Sequence, residues 1–284
     1  MAEPCTAPPP PIHLQLIAYS EATRATVAAS GPGWLVLDNG ANPRPDWFEY
    51  WPMREYLLRQ PLDEAAFYGF FSPKFSAKTG LSQTAVARFV AQHAANADVL
   101  LFSPQPDMGA FFLNVFEQGE TFDAGFIEAC ERLLAHLGRP LPLKPLVMDA
   151  RQVCFSNYFV ARPAFWREWL KVNEALFALC EGEDSALKSL FTRATSYGSG
   201  AQRKVFMMER TASLLLATQP QWRSVPHDPF GFGWSTARFR EFPQEAFASD
   251  ALKRAWRDTR WPEYLQAFVA IRERFTAAPA RRAA

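Results

Sequence analysis

Short apolar runs alternate with longer segments of helical periodicity along most of the chain. The short runs are bounded by prolines, glycines or polar residues, and they predict buried strands at 13–19, 34–37, 67–71, 98–102 and 153–160. Apolar residues that recur every three or four positions predict helices at 47–59, after Ser82, at 126–137, from Pro163 to 177, and at 205–216, 249–257 and 261–275. This order predicts an α/β fold with a mixed, mostly parallel central sheet, helices on both faces and a helical C-terminal appendage.

Two of these segments differ from the others in their apolar content. The run 98–102 is almost continuously apolar, which favours a strand at the centre of the sheet. The helix at 205–216 is apolar nearly all the way round, so we expect it to be buried. Its charged residues Glu209 and Arg210 then need a buried ion-pair partner or access to a cleft.

The composition supports one large core. The 284 residues are 49% hydrophobic, and no long flexible linker interrupts the middle of the chain. We therefore expect a flexible N-terminal lead at 1–11, a main domain at 12–225, and an aromatic-rich loop with C-terminal helices at 226–284, packed on the main domain.

Charge and apolar content argue against several classes of protein. The formal net charge is +1, with Lys and Arg scattered among acids, so no nucleic-acid partner is expected. No apolar stretch approaches the roughly 20 residues of a membrane span, and the first residues lack the features of a signal peptide. The four cysteines and four histidines have no paired spacing. We expect a cytoplasmic protein without disulfides and without a zinc or histidine metal site.

Polar residues follow the predicted strands. They include Asp38 and Asn39 after the second strand, the loop 72–80 after the third, and 103–107 after the fourth. Because the carboxyl ends of parallel strands meet at one edge of a sheet, we expect these loops to converge there. Familiar catalytic motifs are absent from the sequence: there is no P-loop, no Gly-x-Gly-x-x-Gly after a strand and no Gly-x-Ser-x-Gly elbow.

Several segments, taken in order, resemble a GT-A type glycosyltransferase, and in particular uncharacterised bacterial proteins of capsule and surface-polysaccharide biosynthesis. They lie within about residues 12–225: 68–75 (YGFFSPKF), 78–80 (KTG), 98–104 (DVLLFSP), 114–119 (NVFEQG), 157–160 (NYFV) and 208–210 (MER). The resemblance implies a Rossmann-like, GT-A-like domain that moves a sugar from a nucleotide-sugar donor to a hydroxyl of a surface-glycan acceptor.

The resemblance also implies a divalent cation, Mn²⁺ or Mg²⁺. In that superfold the strand matching 98–102 ends in an Asp-x-Asp pair that holds the cation against the donor diphosphate. Here the corresponding stretch is 103–107 (SPQPD), which leaves Asp107 as the one candidate metal ligand. A complete metal site is therefore not carried over.

Sugar transfer needs positive charge beside the departing diphosphate and a base beside the acceptor hydroxyl. Lys74 and Lys78 are candidates for the positive charge, with solvated loop lysines as the alternative. Asp107 is a candidate base or metal ligand, or else a helix N-cap. Glu183 and Asp184 resemble an acidic pair that supplies the base in many such enzymes, or else they complement a helix N-terminus.

The remaining candidates bind substrate. Asp38 is suited to a ribose or base, unless it and Asn39 form a plain turn. The segment 157–160 resembles the strand that lines the acceptor side in such enzymes, which implies that Asn157 bonds a sugar hydroxyl and Tyr158 stacks on the sugar face, with an ordinary sheet strand as the alternative. Further substrate-binding candidates in the resembling segments and strand-end loops are Ser72, Thr79, Ser103, Gln105, Asn114, Glu117, Glu209 and Arg210.

Two other functions stay open on the sequence. A relative that keeps the fold without activity would act as a binding or scaffolding subunit in polysaccharide assembly, because the metal-binding doublet is not intact. A general partner-binding module would use the aromatic C-terminal region and would present an exposed apolar patch.

Overall fold

The computed structural model describes residues 9–197 and 200–277, so most of the predicted lead at 1–11 and the end of the appendage lie outside the described residues. Within them, one sheet contains six strands: β1 Ile12–Ala18, β2 Leu35–Asp38, β3 Phe67–Phe71, β4 Val99–Leu101, β5 Phe159–Ala161 and β6 Ser224–Pro226.

The α-helices connect and cover these strands. Between β1 and β4 they are α1 Glu21–Ala29, α2 Tyr50–Arg59, α3 Phe75–Thr79 and α4 Gln83–His93. Between β4 and β6 they are α5 Pro106–Ala110, α6 Val115–Phe122, α7 Phe126–His136, α8 Pro163–Glu181, α9 Ala186–Thr192 and α10 Arg203–Thr218. The chain closes with α11 Pro243–Thr259 and α12 Pro262–Ala277. The predicted α/β class is confirmed.

The sheet is mixed, with strand order β2-β1-β3-β5-β4-β6. β1 runs parallel to both β2 and β3, and β4 runs parallel to β6. β5 runs antiparallel to both of its neighbours, β3 and β4. The other five strands therefore end at one edge of the sheet, and β5 begins at that edge.

Three sequence predictions about the strands were wrong in detail. The run 153–160 forms a strand only at its end, because Ser156 and Asn157 adopt left-handed backbone (φ 59° and 53°) that stops an extended conformation. β6 lies in a segment that was predicted as an aromatic and proline-rich loop, and it spans the predicted domain boundary at 225. β4 is fully buried as expected but lies one position from the edge, because β6 pairs with its outer side.

Each face of the sheet has its own core, and helices cover both. Val27 of α1 and Val86 of α4 belong to the core of one face. Met53 of α2, Leu133 of α7 and Met207 of α10 belong to the core of the other. The two faces are therefore closed by helices from different crossover connections.

Helix α8 shows how the sequence builds the larger core. Pro163 at the first position presets the helical backbone and lacks the N–H that would otherwise be unsatisfied there. Trp166 and Trp169 lie on the buried face, and the Trp166 indole N–H donates to the carbonyl of Tyr68 in β3 at 2.9 Å. Each such side chain contributes roughly 1.5–3 kcal/mol by burial, so α8 is anchored firmly to the sheet.

The C-terminal helices pack on the segment that follows β4. The Nζ of Lys253 in α11 donates to the carbonyls of Gly109 (2.6 Å) and Phe112 (2.8 Å). The described helices include none that combines the length and apolar content of a membrane span.

Candidate functional site

The order of the first three strands creates a topological switch point at the carboxyl edge of the sheet. β1 lies between β2 and β3, and the connection through α1 crosses one face while the connection through α2 crosses the other. Open α/β sheets bind ligands outside the strand ends at such a switch point. Hydrogen bonds and mutual electrostatic effects link six residues at this point, and we call the region that they occupy the crevice: Tyr19, Glu49, Ser72, Lys78, Tyr158 and Glu209.

Strands β3 and β5 bring the first pair of these residues together. Ser72 follows the last residue of β3, and Tyr158 precedes the first residue of β5. The Ser72 Oγ and the Tyr158 hydroxyl are 2.5 Å apart and share a hydrogen bond. Burial, as the largest cause, raises the pKa of Tyr158, so this phenol stays neutral across the physiological range.

Lys78 projects from α3 toward the same place. Its Nζ donates to Ser156 Oγ at 2.9 Å and lies 5.4 Å from the centre of the Tyr158 ring. Burial lowers the pKa of Lys78, and the carboxylates of Glu209 and Glu49 partly oppose that effect. An ammonium group has three donors, and one of those of Lys78 is used by Ser156, so the others can meet an anionic ligand where burial leaves the charge weakly screened.

The charges of two carboxylates, from different parts of the chain, act on this lysine. Glu209 lies on α10, and Glu49 precedes α2; both are partly buried. Burial raises the pKa of Glu209, and the negative charge of Glu49 raises it further, against the opposing charges of Arg210 and Lys78. Neither carboxylate has a hydrogen-bond or ion-pair partner among residues 9–197 and 200–277. A carboxylate that is partly desolvated and unengaged is suited to accept a proton.

The structure brings five predicted site residues to this crevice or its rim: Ser72, Lys78, Asn157, Tyr158 and Glu209. Asp38 and Asn39 lie at the same sheet edge, after β2, but make other contacts. Asp38 is exposed and pairs with Arg24 at 2.7 Å. The Gly40 N–H and the Arg24 guanidinium lower the pKa of the Asp38 carboxyl.

The three predicted catalytic acids have contacts of other kinds. Asp107 is buried and accepts hydrogen bonds from the Ser235 N–H (3.0 Å) and from the Ser235 hydroxyl. Glu183 and Asp184 are exposed after α8, and Asp184 pairs with Lys188 at 3.1 Å. None of the three shares a hydrogen bond or an ion pair with Lys78 in the described part of the chain.

Three of the predicted substrate-binding residues, Asn114, Glu117 and Arg210, make structural contacts in or beside α6. Asn114 caps α6 by accepting from two of its N–H groups, and its Nδ2 donates to the carbonyl of Leu146 at 2.7 Å. Glu117 accepts from Arg272 at 2.8 Å. Arg210 donates to the carbonyl of Val115 at 2.8 Å and to Gln118. Arg210 is thus held by α6, and Glu209 is left for the crevice.

The remaining predicted residues lie after β3 or after β4 and make structural contacts of their own. Lys74 is exposed at the start of α3, and Thr79 donates to the carbonyl of Phe75 within that helix. Ser103 accepts from the Phe155 N–H at 2.9 Å, which fixes the turn before β5. Gln105 has left-handed backbone at φ 59°, and its N–H donates to the carbonyl of Gly233.

Two cavities lie apart from the six crevice residues. One, of about 20 Å³, lies beside the ends of β4 and β6 between Ser103, His227 and Asp250. That volume suits a single water molecule. The other is an open groove of about 420 Å³ between Trp256 and one side of α12. Neither has the polar groups that converge on Lys78.

No group of three or more His, Cys, Asp or Glu side chains that could hold a metal ion occurs among the described residues. Sequence reasoning missed Tyr19, Glu49 and Ser156. Tyr19 and Glu49 are single polar residues beside β1 and α2 with no motif around them, so only the three-dimensional arrangement identifies them.

Comparison with protein-family models, with curated proteins and with solved structures gives no match for this chain.

Proposed function

We propose that the chain is a glycosyltransferase with a GT-A-like domain, which moves a sugar from a nucleotide-sugar donor to a hydroxyl of a surface-glycan acceptor. The observation that carries the proposal is the placement of Lys78 at the switch point of the sheet, where its Nζ donates to Ser156 Oγ and the charges of Glu209 and Glu49 act on its pKa. The segments that resemble this class of enzyme, 68–75, 78–80, 157–160 and 208–210, contribute most of the crevice.

Each reacting group then has a role. The oxygen of the acceptor hydroxyl attacks the anomeric carbon and forms the new C–O bond, and its proton passes to the Glu209 carboxylate. The bond between the anomeric carbon and the diphosphate oxygen breaks, and the nucleoside diphosphate leaves with the electron pair. Lys78 stabilises the charge that develops on this leaving group. Glu209 is preferred over Asp107 as the base because Asp107 is occupied by Ser235.

Isothermal titration calorimetry of the full chain with a panel of UDP-, GDP-, CDP- and dTDP-sugars tests donor binding. We expect at least one nucleotide to bind, and Lys78→Met to weaken that binding about tenfold or more, because a partly desolvated charge pair is lost. Lys144→Met, which removes an exposed lysine, is the control and should leave the dissociation constant unchanged. Each titration is run with Mn²⁺, with Mg²⁺ and with EDTA, so that a cation requirement is measured directly.

The role of Glu209 is tested by its pH dependence. A base with a raised pKa is active only when deprotonated, so transfer should fall as the pH drops through a pKa above the ordinary value of 4.5 for Glu. Glu209→Gln should reduce turnover by about 10² or more with little change in donor binding, whereas Glu183→Gln should retain turnover. Equal losses in both variants would contradict the assignment.

Donor binding without transfer to any acceptor would favour the non-catalytic binding or scaffolding subunit. If no nucleotide binds under any of the three cation conditions, both the transferase and the nucleotide-binding subunit are contradicted.

A further inference from the structure

The turn before β5 contains a buried hydrogen-bond acceptor without a donor. Asn157 is 9% exposed, and its Oδ1 has no solvent contact and no hydrogen-bond partner among the described residues. Buried amide oxygens are nearly always paired, because leaving one unpaired costs its desolvation energy. A ligand that brings a hydrogen-bond donor to this oxygen would remove that cost.

The neighbours of Asn157 both contact the crevice. Ser156 accepts the hydrogen bond from Lys78, and Tyr158 shares one with Ser72. Asn157 thus lies between the residue that holds the cation and the residue that joins β5 to β3. It follows directly in sequence on Ser156, whose hydroxyl binds the lysine proposed to meet the diphosphate.

The backbone of this turn is strained. Ser156 and Asn157 are consecutive non-glycine residues with φ values of 59° and 53°. Asn tolerates the left-handed region better than most residues, but Ser does not, and two in succession require support from both sides. That support is present: Phe155 N–H donates to Ser103 Oγ at 2.9 Å, and Tyr158 N–H donates to the carbonyl of Phe155 at 3.2 Å. Strain held in this way is concentrated at ligand-binding sites.

We infer that Asn157 Oδ1 accepts a hydrogen bond from a hydroxyl or amide N–H of the donor sugar and so selects which nucleotide sugar is bound. This inference rests on the proposed function. Phosphate oxygens are acceptors, so they cannot satisfy Oδ1. The donor sugar and the ribose are both bonded to the diphosphate and both carry hydroxyls, whereas the base is separated from the diphosphate by the ribose. The free nucleoside diphosphate contains the ribose but not the donor sugar, so comparing the two ligands distinguishes these contacts.

The test compares two dissociation constants for each variant, one for the free nucleoside diphosphate and one for the nucleotide sugar, both by calorimetry. The dissociation constant of the nucleoside diphosphate divided by that of the nucleotide sugar measures what the sugar contributes to binding. Asn157→Gly removes the acceptor and keeps the left-handed backbone without strain. We expect it to lower the ratio about tenfold, with the nucleoside diphosphate constant unchanged. Asn157→Asp keeps an oxygen acceptor and should retain most of the ratio.

The sugar panel separates the two donor groups. A loss confined to 2-acetamido sugars assigns the contact to the amide N–H, and a loss of equal size for sugars with and without the 2-acetamido group assigns it to a hydroxyl. Asn96→Gly, at an exposed turn, is the control and should leave the ratio unchanged.

Thermal unfolding of each variant gives an independent readout. Because Asn157→Gly removes both backbone strain and an unpaired acceptor, its melting temperature should equal or exceed that of the wild type. A lower melting temperature with an unchanged ratio would show that Asn157 has a structural role. That result would overturn the inference and leave the proposed function standing. Failure of the wild type to bind any nucleoside diphosphate would instead overturn the proposed function, and the inference with it.

Discussion

Lys253 provides a test of how the C-terminal helices are joined to the main domain. Its side chain is fully buried, and its Nζ donates to the carbonyls of Gly109 and Phe112. Burial, as the largest cause, lowers the pKa of Lys253 to about 8, from an ordinary value of 10.5. Asp250, Asp149 and Glu117 oppose this effect, and the positive charge of Arg272 adds to it.

The sign of the pH dependence follows from that lowered pKa. Below pH 8 the lysine is protonated in both the folded and the unfolded chain, and the folded chain carries the full cost of a buried charge. Between pH 8 and 10.5 Lys253 binds more protons in the unfolded chain than in the folded chain. Its contribution to the free energy of unfolding therefore rises with pH. The window spans about 2.5 pH units at about 1.4 kcal/mol each, or about 3 kcal/mol in total. A neutral amine still has two N–H donors for its two carbonyls, so deprotonation breaks neither bond.

The assay is urea unfolding followed by tryptophan fluorescence at pH 7, 8, 9 and 9.5. It stops there because burial raises the pKa values of Tyr50 and Tyr158, and tyrosines of that kind reduce stability as the unfolded chain ionises near pH 10. Over this pH range the free energy of unfolding of the wild type should rise by about 2 kcal/mol relative to that of Lys253→Met. The free energy of unfolding of Lys144→Met, a change at an exposed site, should vary with pH in the same way as that of the wild type. Parallel curves for the wild type and Lys253→Met would refute the reasoning.

Two further predictions concern stability, one through packing and one through buried hydrogen bonds. Gly69→Ala in β3 should lower the free energy of unfolding by about 1–3 kcal/mol, because the new methyl would lie 2.8 Å from a side chain of the adjacent strand; Gly231→Ala, whose nearest neighbour is 3.9 Å away, should be neutral. Asp107→Asn should cost about 1–3 kcal/mol, because Ser235 donates to both carboxylate oxygens, whereas Asp184→Asn at a fully exposed site should cost nothing measurable. Both are measured by urea denaturation, and a loss at either control equal to that of its partner would contradict the structural assignment.

Segments with strong local signals were predicted closely from the sequence. β3 has the predicted bounds 67–71, and α8 begins at the predicted Pro163. An unbroken apolar run fixes the first, and a proline at the first helical position fixes the second. The 72–80 loop was predicted without regular structure but contains α3, a helix of five residues that is too short for a periodic pattern.

Features that depend on distant pairing could not be predicted. β6 has three residues and ends in Pro226, so its strand conformation depends on β4 beside it. The convergence of strand-end loops was expected from the parallel order, and it brings Lys78 and Tyr158 together. The acids were harder to assign, because Asp107 meets Ser235 across 128 positions of sequence.

Glu209 and Arg210 show where a sequence signal stops short of a site. Both were singled out because charge is costly in an apolar helix. Adjacent residues of an α-helix point about 100° apart, so one charged pair must face two different surroundings. Arg210 faces α6, where carbonyl and amide oxygens satisfy its guanidinium, and burial still lowers its pKa. The Glu209 carboxylate has no hydrogen bond among the described residues, and the charge of Lys78 acts on it. The rotation of α10 decides which of the two residues is left without a hydrogen bond, and packing against α8 and α6 fixes that rotation.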